Sequence, residues 1–290
     1  MRAADRRTGI LLIMPVLILI FGLVLYPFLH NFYLSFLNVS FRRPIGEFVG
    51  LSNYVRIFKD PTYWSATIKT IIWTVGVVGG QVVVGLGIAL LLNWQFKGRG
   101  LVRGLMILPY TISTVVVAFI FKWMLNDLYG IINQSLLSIG LIKEPIIFLG
   151  SSKSTMPTVI IIAIWQAVPL VVLMVLAGLQ AIPHDRYDAA KVDGANRFQE
   201  FWIITLPGLR GVLRVVIILK TIWTFNWFDM IWLLTQGGPG EQTTILPVLV
   251  YRVGFRMMRL SRASAISVNM LIYLVILMIL LFSLIRSSEE

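Results

Sequence analysis

Residues Pro183–Pro207, PHDRYDAAKVDGANRFQEFWIITLP, form the one long polar, charge-mixed segment in a chain that otherwise alternates apolar blocks with short connections. Continued to Arg214, it carries nine charged side chains: Asp185, Arg186, Asp188, Lys191, Asp193, Arg197, Glu200, Arg210 and Arg214. Apolar blocks flank it on both sides, so a membrane protein would hold it in an aqueous compartment. Its local code predicts two short helices with a break between them. Pro183 suits a first helical turn, where its missing N–H would be unpaired anyway, and Asp185 and Asp188 favour that turn electrostatically. Gly194 can take the left-handed conformation that ends a helix, and Asn196 can cap the next one. Phe198, Phe201, Trp202 and Thr205 then recur at helical spacing, and Pro207 is expected to limit further extension. Ala189 and Ala190 have almost no side chain, so another protein's surface can approach that helix closely. By residue type alone, a solvated loop explains the segment equally well.

Composition sets the class. Of 290 residues, 58% are hydrophobic and only 13% charged, with a mean hydropathy of +0.85. Too few polar residues remain to cover a soluble surface. The net charge of +12 would suggest nucleic acid for a soluble chain; beside lipid-length apolar runs it points to anionic headgroups instead. The absence of cysteine removes disulfides, zinc–thiolate sites and thiol catalysis. With only two histidines, His30 and His184, a metal site is not expected.

The chain reads as an all-α membrane protein of six spans, at about 10–28, 68–93, 103–126, 155–181, 209–234 and 263–286. The run after the basic Met1–Thr8 segment (Arg2, Arg6, Arg7) is too long for a signal-peptide core and lacks a small-residue cleavage site, so it reads as an uncleaved first span. Six spans put both termini on one side. If that side is cytoplasmic, it holds twelve Lys/Arg: Arg2, Arg6, Arg7, three around Lys97, five in 183–214, and Arg286. The outer loops hold ten: Arg42, Arg43, Arg56, Lys59, Lys143, Lys153, Arg252, Arg256, Arg259 and Arg262. That difference is too small to orient the chain.

Asp188-Ala189-Ala190, Gly194 and Ile204-Thr205-Leu206-Pro207 match, in residue type and spacing, the EAA loop of ABC-importer permeases, with Asp188 in place of the usual Glu. Leu234-Thr235-Gln236-Gly237-Gly238-Pro239 followed by Thr243-Thr244, Gly50-Leu51-Ser52-Asn53-Tyr54, Ile107-Leu108-Pro109-Tyr110 and Leu179-Gln180-Ala181-Ile182-Pro183 further resemble the maltose-type first permease subunit of carbohydrate importers. The resemblance runs from about residue 10 to 286. It implies a type I ABC importer permease fold, a single permease domain over 1–290, both termini in the cytoplasm, and a cytoplasmic coupling loop 183–207. The ATPase-coupling residues would be Asp188, Ala189, Ala190, Asp193, Gly194, Leu206 and Pro207. It also implies a second homologous permease, two ABC ATPase subunits that bind the ATP and Mg, an extracytoplasmic sugar-binding protein and a carbohydrate substrate, with no nucleic acid.

Enzymatic machinery is hard to assemble from this sequence. Asp229 is the one acid inside a predicted span, and no Gly-x-Ser-x-Gly, His-Glu-x-x-His or Walker A pattern occurs. ATP hydrolysis would therefore be borrowed from another chain. Charged residues inside spans are functional candidates by default. Lys69 and Lys122 lie near span ends and are expected to snorkel to an interface, whereas Lys220 lies halfway along the fifth span and calls for an aqueous cavity or a partner. A sugar path needs aromatic faces and hydroxyl partners. Lys220, Thr224 and Trp227 form one stripe at i, i+4 and i+7. With Tyr110 and Thr114 they match the family's substrate-lining positions, although the family usually has small or amide side chains at 220 and 227. The equivalent fourth-span residues, Ala163, Ala167 and Leu170, are expected to offer no hydrogen bonds. Trp223, Trp227 and Trp232 can equally be packing or interfacial residues. Other solutes (a polyol, glycerol phosphate or a peptide) and a stand-alone membrane enzyme or channel are the competing readings.

Overall fold

The computed structural model describes residues 3–41 and 43–286. Arg2 and Arg42, and the side chains of Arg6, Arg7, Arg43 and Arg286, lie outside the description. Fourteen α-helices and one two-stranded hairpin form most of the described residues. In order they are α1 (Ala3–Ile20), α2 (Tyr26–Leu34), β1 (Leu37–Ser40), β2 (Arg43–Phe48), α3 (Ser52–Phe58), α4 (Pro61–Asn93), α5 (Arg99–Thr111), α6 (Thr114–Met124) and α7 (Ile131–Ser138). Then come α8 (Thr155–Gln180), α9 (His184–Val192), α10 (Arg197–Glu200), α11 (Leu206–Phe225), α12 (Phe228–Thr235), α13 (Leu246–Tyr251) and α14 (Leu260–Arg286). Five helical runs are long and apolar enough to cross a membrane, or six when the α5–α6 pair, bent by 94°, is counted as one span. The expected 103–126 span falls on the bent α5–α6 pair, and the expected 209–234 span crosses the gap between α11 and α12; the antiparallel β1–β2 hairpin is an addition that the all-α reading omitted.

Proline placement explains two local irregularities. A π-turn at Phe21–Leu25 closes one residue before α2 takes up Pro27, and another at Phe201–Thr205 closes just before Pro207. In each, the following residue's N–H (Tyr26, Leu206) reaches back to the first carbonyl of the turn. Pro lacks a donor and its ring crowds the carbonyl four residues back, so a shift to i→i+5 bonding lets the helix continue. Pro207 thus does not end a helix, contrary to expectation. The run Arg197–Phe225 is continuous.

The chain folds as two compact units. In the first, residues up to Ser65 with Leu249–Tyr273, buried Asn53 donates to the carbonyls of Ser35 and Leu37 at 2.9 and 2.7 Å. The Ser261 hydroxyl accepts from Val39 N–H at 2.7 Å, and Arg262 pairs with Asp60. Asp60 also caps α4 by accepting from Thr62 N–H at 2.9 Å, and Pro61 opens that helix. The Gly-Leu-Ser-Asn-Tyr segment is therefore a structural knot around Asn53.

The second unit, Ala66–Val248 with Leu274 onward, is built around α8, the most buried span. Small residues set its packing distances. A methyl at Gly85 of α4 would meet Val171 at 2.6 Å, and one at Gly178 of α8 would meet Val212 and Leu209 of α11 at 2.8 and 2.9 Å. One core cluster gathers Trp73, Val77, Val117, Ala118, Ile162, Met230, Ile231 and Ile245, and a second gathers Ala89, Val171, Val175, Leu179, Leu209 and Val216. We expect Gly85→Leu to lower the thermal midpoint of the detergent-purified chain, since overpacking a tight contact costs about 1–3 kcal/mol. Gly87→Leu, where nothing lies within 4 Å, should leave the midpoint unchanged.

Candidate functional site

The polar segment folds as its sequence predicts. α9 ends in a Schellman cap: Gly194 has φ +78°, Gly194 N–H donates to Lys191 O at 3.0 Å, and Ala195 N–H donates to Ala190 O at 2.9 Å. Pro183 is the residue just before α9 rather than in its first turn. Asn196 then caps α10 through a reciprocal pair, with Gln199 N–H to Asn196 Oδ1 at 2.9 Å and Asn196 N–H to Gln199 Oε1 at 2.8 Å. The Tyr187 and Thr205 hydroxyls, 2.9 Å apart, tie α9 to the π-turn that leads into α11. Asp188, Ala189, Asp193 and Gly194 are exposed, while Ala190, Leu206 and Pro207 are half-buried. Around them stand Val192, Phe198, Trp202 and Ile203 at 87, 71, 52 and 69% exposure. Val192 lies on α9, outside the candidate spans, whereas Phe198, Trp202 and Ile203 belong to the apolar run Arg197–Phe225. Lys191 donates to Asp188 at 3.0 Å, and that hydrogen bond raises the lysine above its usual range; both groups are exposed, so the pair adds little stability.

A second site lies within the same unit. Tyr110, Thr114, Lys220, Thr224 and Trp227, the five residues that the sequence singles out, all line one cavity of about 410 Å³ together with Gln166, Ala167 and Trp223. The reason they meet differs from the one expected. α11 stops at Phe225, Trp227 occupies the break before α12, and α5 gives way to α6 across Ile112 and Ser113. No continuous helical stripe carries Trp227; the chain turns it toward the cavity. Asp229 is an exposed residue of the first turn of α12, where an acid suits the helix dipole.

Hydrogen bonds fix the lining. Gln166 Nε2 donates to Ile112 O at 3.1 Å and to Thr114 Oγ1 at 3.2 Å; its Oε1 is buried without a partner. Trp73 Nε1 donates to Thr224 O at 3.0 Å, and its ring lies 6.1 Å from that of Trp227. Lys220, 5% exposed, donates to Ala167 O at 3.2 Å and sits 5.8 Å from the centre of the Trp223 ring. The fourth span therefore does supply hydrogen bonds, through the Ala167 carbonyl and through Gln166, which sequence reasoning missed. A lone amide in an apolar span was the available signal. Ala163 is buried in the core and Leu170 does not line the cavity.

Lys69 and Lys122 do more than snorkel. α4 starts at Pro61, which sets Lys69 more than two turns into the helix, where its Nζ donates to Glu241 O at 2.7 Å. Lys122 donates to Leu233 O at 3.4 Å. The Gly-Gly-Pro loop is compact: Thr243 donates to Gly238 O at 2.8 Å and Thr244 to Gly237 O at 2.9 Å, with both threonines buried.

Broken spans around a polar, aromatic cavity, together with a charged segment presenting an apolar face, define a membrane transport subunit. The chain belongs to the family of binding-protein-dependent transport system inner membrane components, which residues 81–289 match. It is 34% identical over 286 residues to a probable ABC transporter permease protein of Brucella suis, covering 99% of both chains. It is 36% identical over 247 residues to the trehalose/maltose transport system permease protein of Thermococcus litoralis, covering 85% of this chain and 83% of that one. Its fold matches a chain in the crystal structure of a bacterial ABC transporter involved in the import of the acidic polysaccharide alginate, at TM-score 0.84 and 24% identity, covering 98% of each.

The capping pair should be measurable. We expect Asn196→Ala to cost about 1 kcal/mol of local helix stability and to speed amide exchange at Gln199 and Glu200 by several-fold, while exchange in α8 is unchanged.

Proposed function

We propose that this chain is the permease subunit of an ATP-driven importer for a carbohydrate, forming half of the translocation path. The observation that carries the reading is the cavity, where two indole rings adjoin hydroxyl, amide and ammonium groups at two breaks in the spans. Indole faces suit the apolar side of a sugar ring, and a few fixed polar groups suit its hydroxyls. The 36% identity to a trehalose/maltose permease protein supports that substrate class. Both termini and the loop 183–207 would face the cytoplasm. There α9, with Asp188, Ala189, Ala190, Asp193 and Gly194, and the neighbouring Val192, Phe198 and Trp202 would dock on an ABC ATPase, with Leu206 and Pro207 passing the motion into α11. A second homologous permease would complete the path. Two ATPase subunits would hold the ATP and Mg, and an extracytoplasmic binding protein would deliver the sugar. ATPase closure on ATP would pull the loop and switch the cavity from inward to outward access.

The test is purification of the complex in detergent, with its subunit stoichiometry and its ATPase rate measured across a sugar panel with the binding protein present. One sugar should stimulate hydrolysis; a chain that isolates with no ATPase partner would return it to the class of stand-alone membrane proteins. Gly194→Val probes coupling. A β-branched residue at φ +78° costs on the order of 1–2 kcal/mol and displaces the cap. Uptake and sugar-stimulated ATPase should fall while membrane insertion persists. Wild-type uptake in that variant would remove the coupling role of the cap.

A further inference from the structure

Lys220 is out of proportion to the rest of its cavity. It is 5% exposed, and its ammonium has three donors of which the protein engages one, through Ala167 O at 3.2 Å. The Trp223 ring adds only partial compensation at 5.8 Å. No carboxylate of the described residues pairs with it, and none lines the cavity. Asp229, the one acid within the fifth predicted span, lies outside the lining. Burying an ammonium without an anion is strongly unfavourable, and such groups in proteins are paired. A neutral sugar would supply hydroxyls but leave the charge uncompensated.

We propose that the ligand of this cavity is an acidic saccharide whose carboxylate, sulfonate or phosphate pairs with Lys220. The inference rests on the reading of the cavity as the sugar path. The neighbouring groups fit a hydroxylated anion: Gln166 Oε1 is a buried acceptor without a partner and suits a sugar hydroxyl, and Trp223 and Trp227 offer ring faces on the same lining. A charge-assisted pair in a site removed from water also discriminates sharply, because the neutral analogue leaves the lysine unpaired.

The experiment uses the assembled transporter in proteoliposomes with its binding protein. The probes are matched saccharide pairs, neutral disaccharides beside the same disaccharides carrying a uronate, a 6-sulfonate or a 6-phosphate. We expect uptake and ATPase stimulation from an acidic member and not from its neutral twin. Lys220→Met should raise the KM for the acidic sugar by about tenfold or more with subunit stoichiometry preserved, and Lys220→Arg should retain most of the uptake. Stimulation by neutral sugars alone would overturn the inference and leave the permease reading standing. Unchanged acidic-sugar uptake by Lys220→Met would also overturn it, by assigning selection to the binding protein. Loss of the partner permease from Lys220→Met would overturn it by assigning the lysine to the subunit interface. A complex that responds to no saccharide would overturn both readings.

Discussion

Inside a bilayer there is no water to accept the bonds that a broken helix releases, so every interruption must be repaired by protein. The chain interrupts two of the spans expected from its sequence, at Ile112–Ser113 and at Asn226–Trp227, the second just past the end of the Arg197–Phe225 run. Gln166 bonds Ile112 O, Trp73 bonds Thr224 O, and Asn226 Nδ2 reaches back to Ile222 O at 2.9 Å. The repair groups lie beside the cavity because the cavity is the gap that the breaks create. Unbroken helices would interlock along their ridges and leave no polar volume there. The site and the irregular backbone are therefore one feature with one cost.

The continuity of Arg197–Phe225 connects that feature to the charged segment. Twenty-nine residues at 1.5 Å rise make a rod of roughly 40 Å, with α9 tied to its beginning by Tyr187 and Thr205 and with Lys220 and Thr224 near its far end. The π-turn before Pro207 preserves this rod where a proline would otherwise have broken it. On the permease reading, displacement of α9 reaches the cavity along a single element, without a chain of side-chain contacts.

Much of this is legible in the sequence, for physical reasons that can be named. Gly194, Asn196 and Gln199 encode their caps locally, so the two-helix segment can be read directly. The five cavity residues emerge from matched positions, yet the stripe expected for three of them fails, because it needs a straight helix across Asn226. Nothing local marks that break; Asn226 and Trp227 are tolerable helix residues, and tertiary bonds from Trp73 make the interruption stable. Proline misleads in the opposite direction at 207, where a π-turn absorbs it. Gln166 escapes a reading that follows charges alone, although a buried amide in an apolar span demands partners by the same logic. Lys69 reads as a span-end residue because α4 begins at Pro61, ahead of the apolar run that sets the expected boundary.

The mechanical division of labour follows from burial. α8 is held on one side by glycine contacts with α4 and on the other by its own Gly178 against α11, and it contributes the Gln166 amide and the Ala167 carbonyl. Tight packing of this kind resists continuous deformation. The aromatic and cationic groups, by contrast, sit on or beside broken helices: Tyr110 at the end of α5, Trp223 near the end of α11, Trp227 in the gap before α12. A path that alternates between two sides needs fixed groups to hold the ligand and movable ones to open and close around it. Here Gln166 and Ala167 belong to the most buried helix, and α11, which carries Lys220, packs its Leu209 and Val216 into the core with that helix, so the Lys220–Ala167 contact and the core share the same pair of helices. On the proposed reading of the cavity as the sugar path, the Lys220–Ala167 bond would link its occupancy to the position of α11.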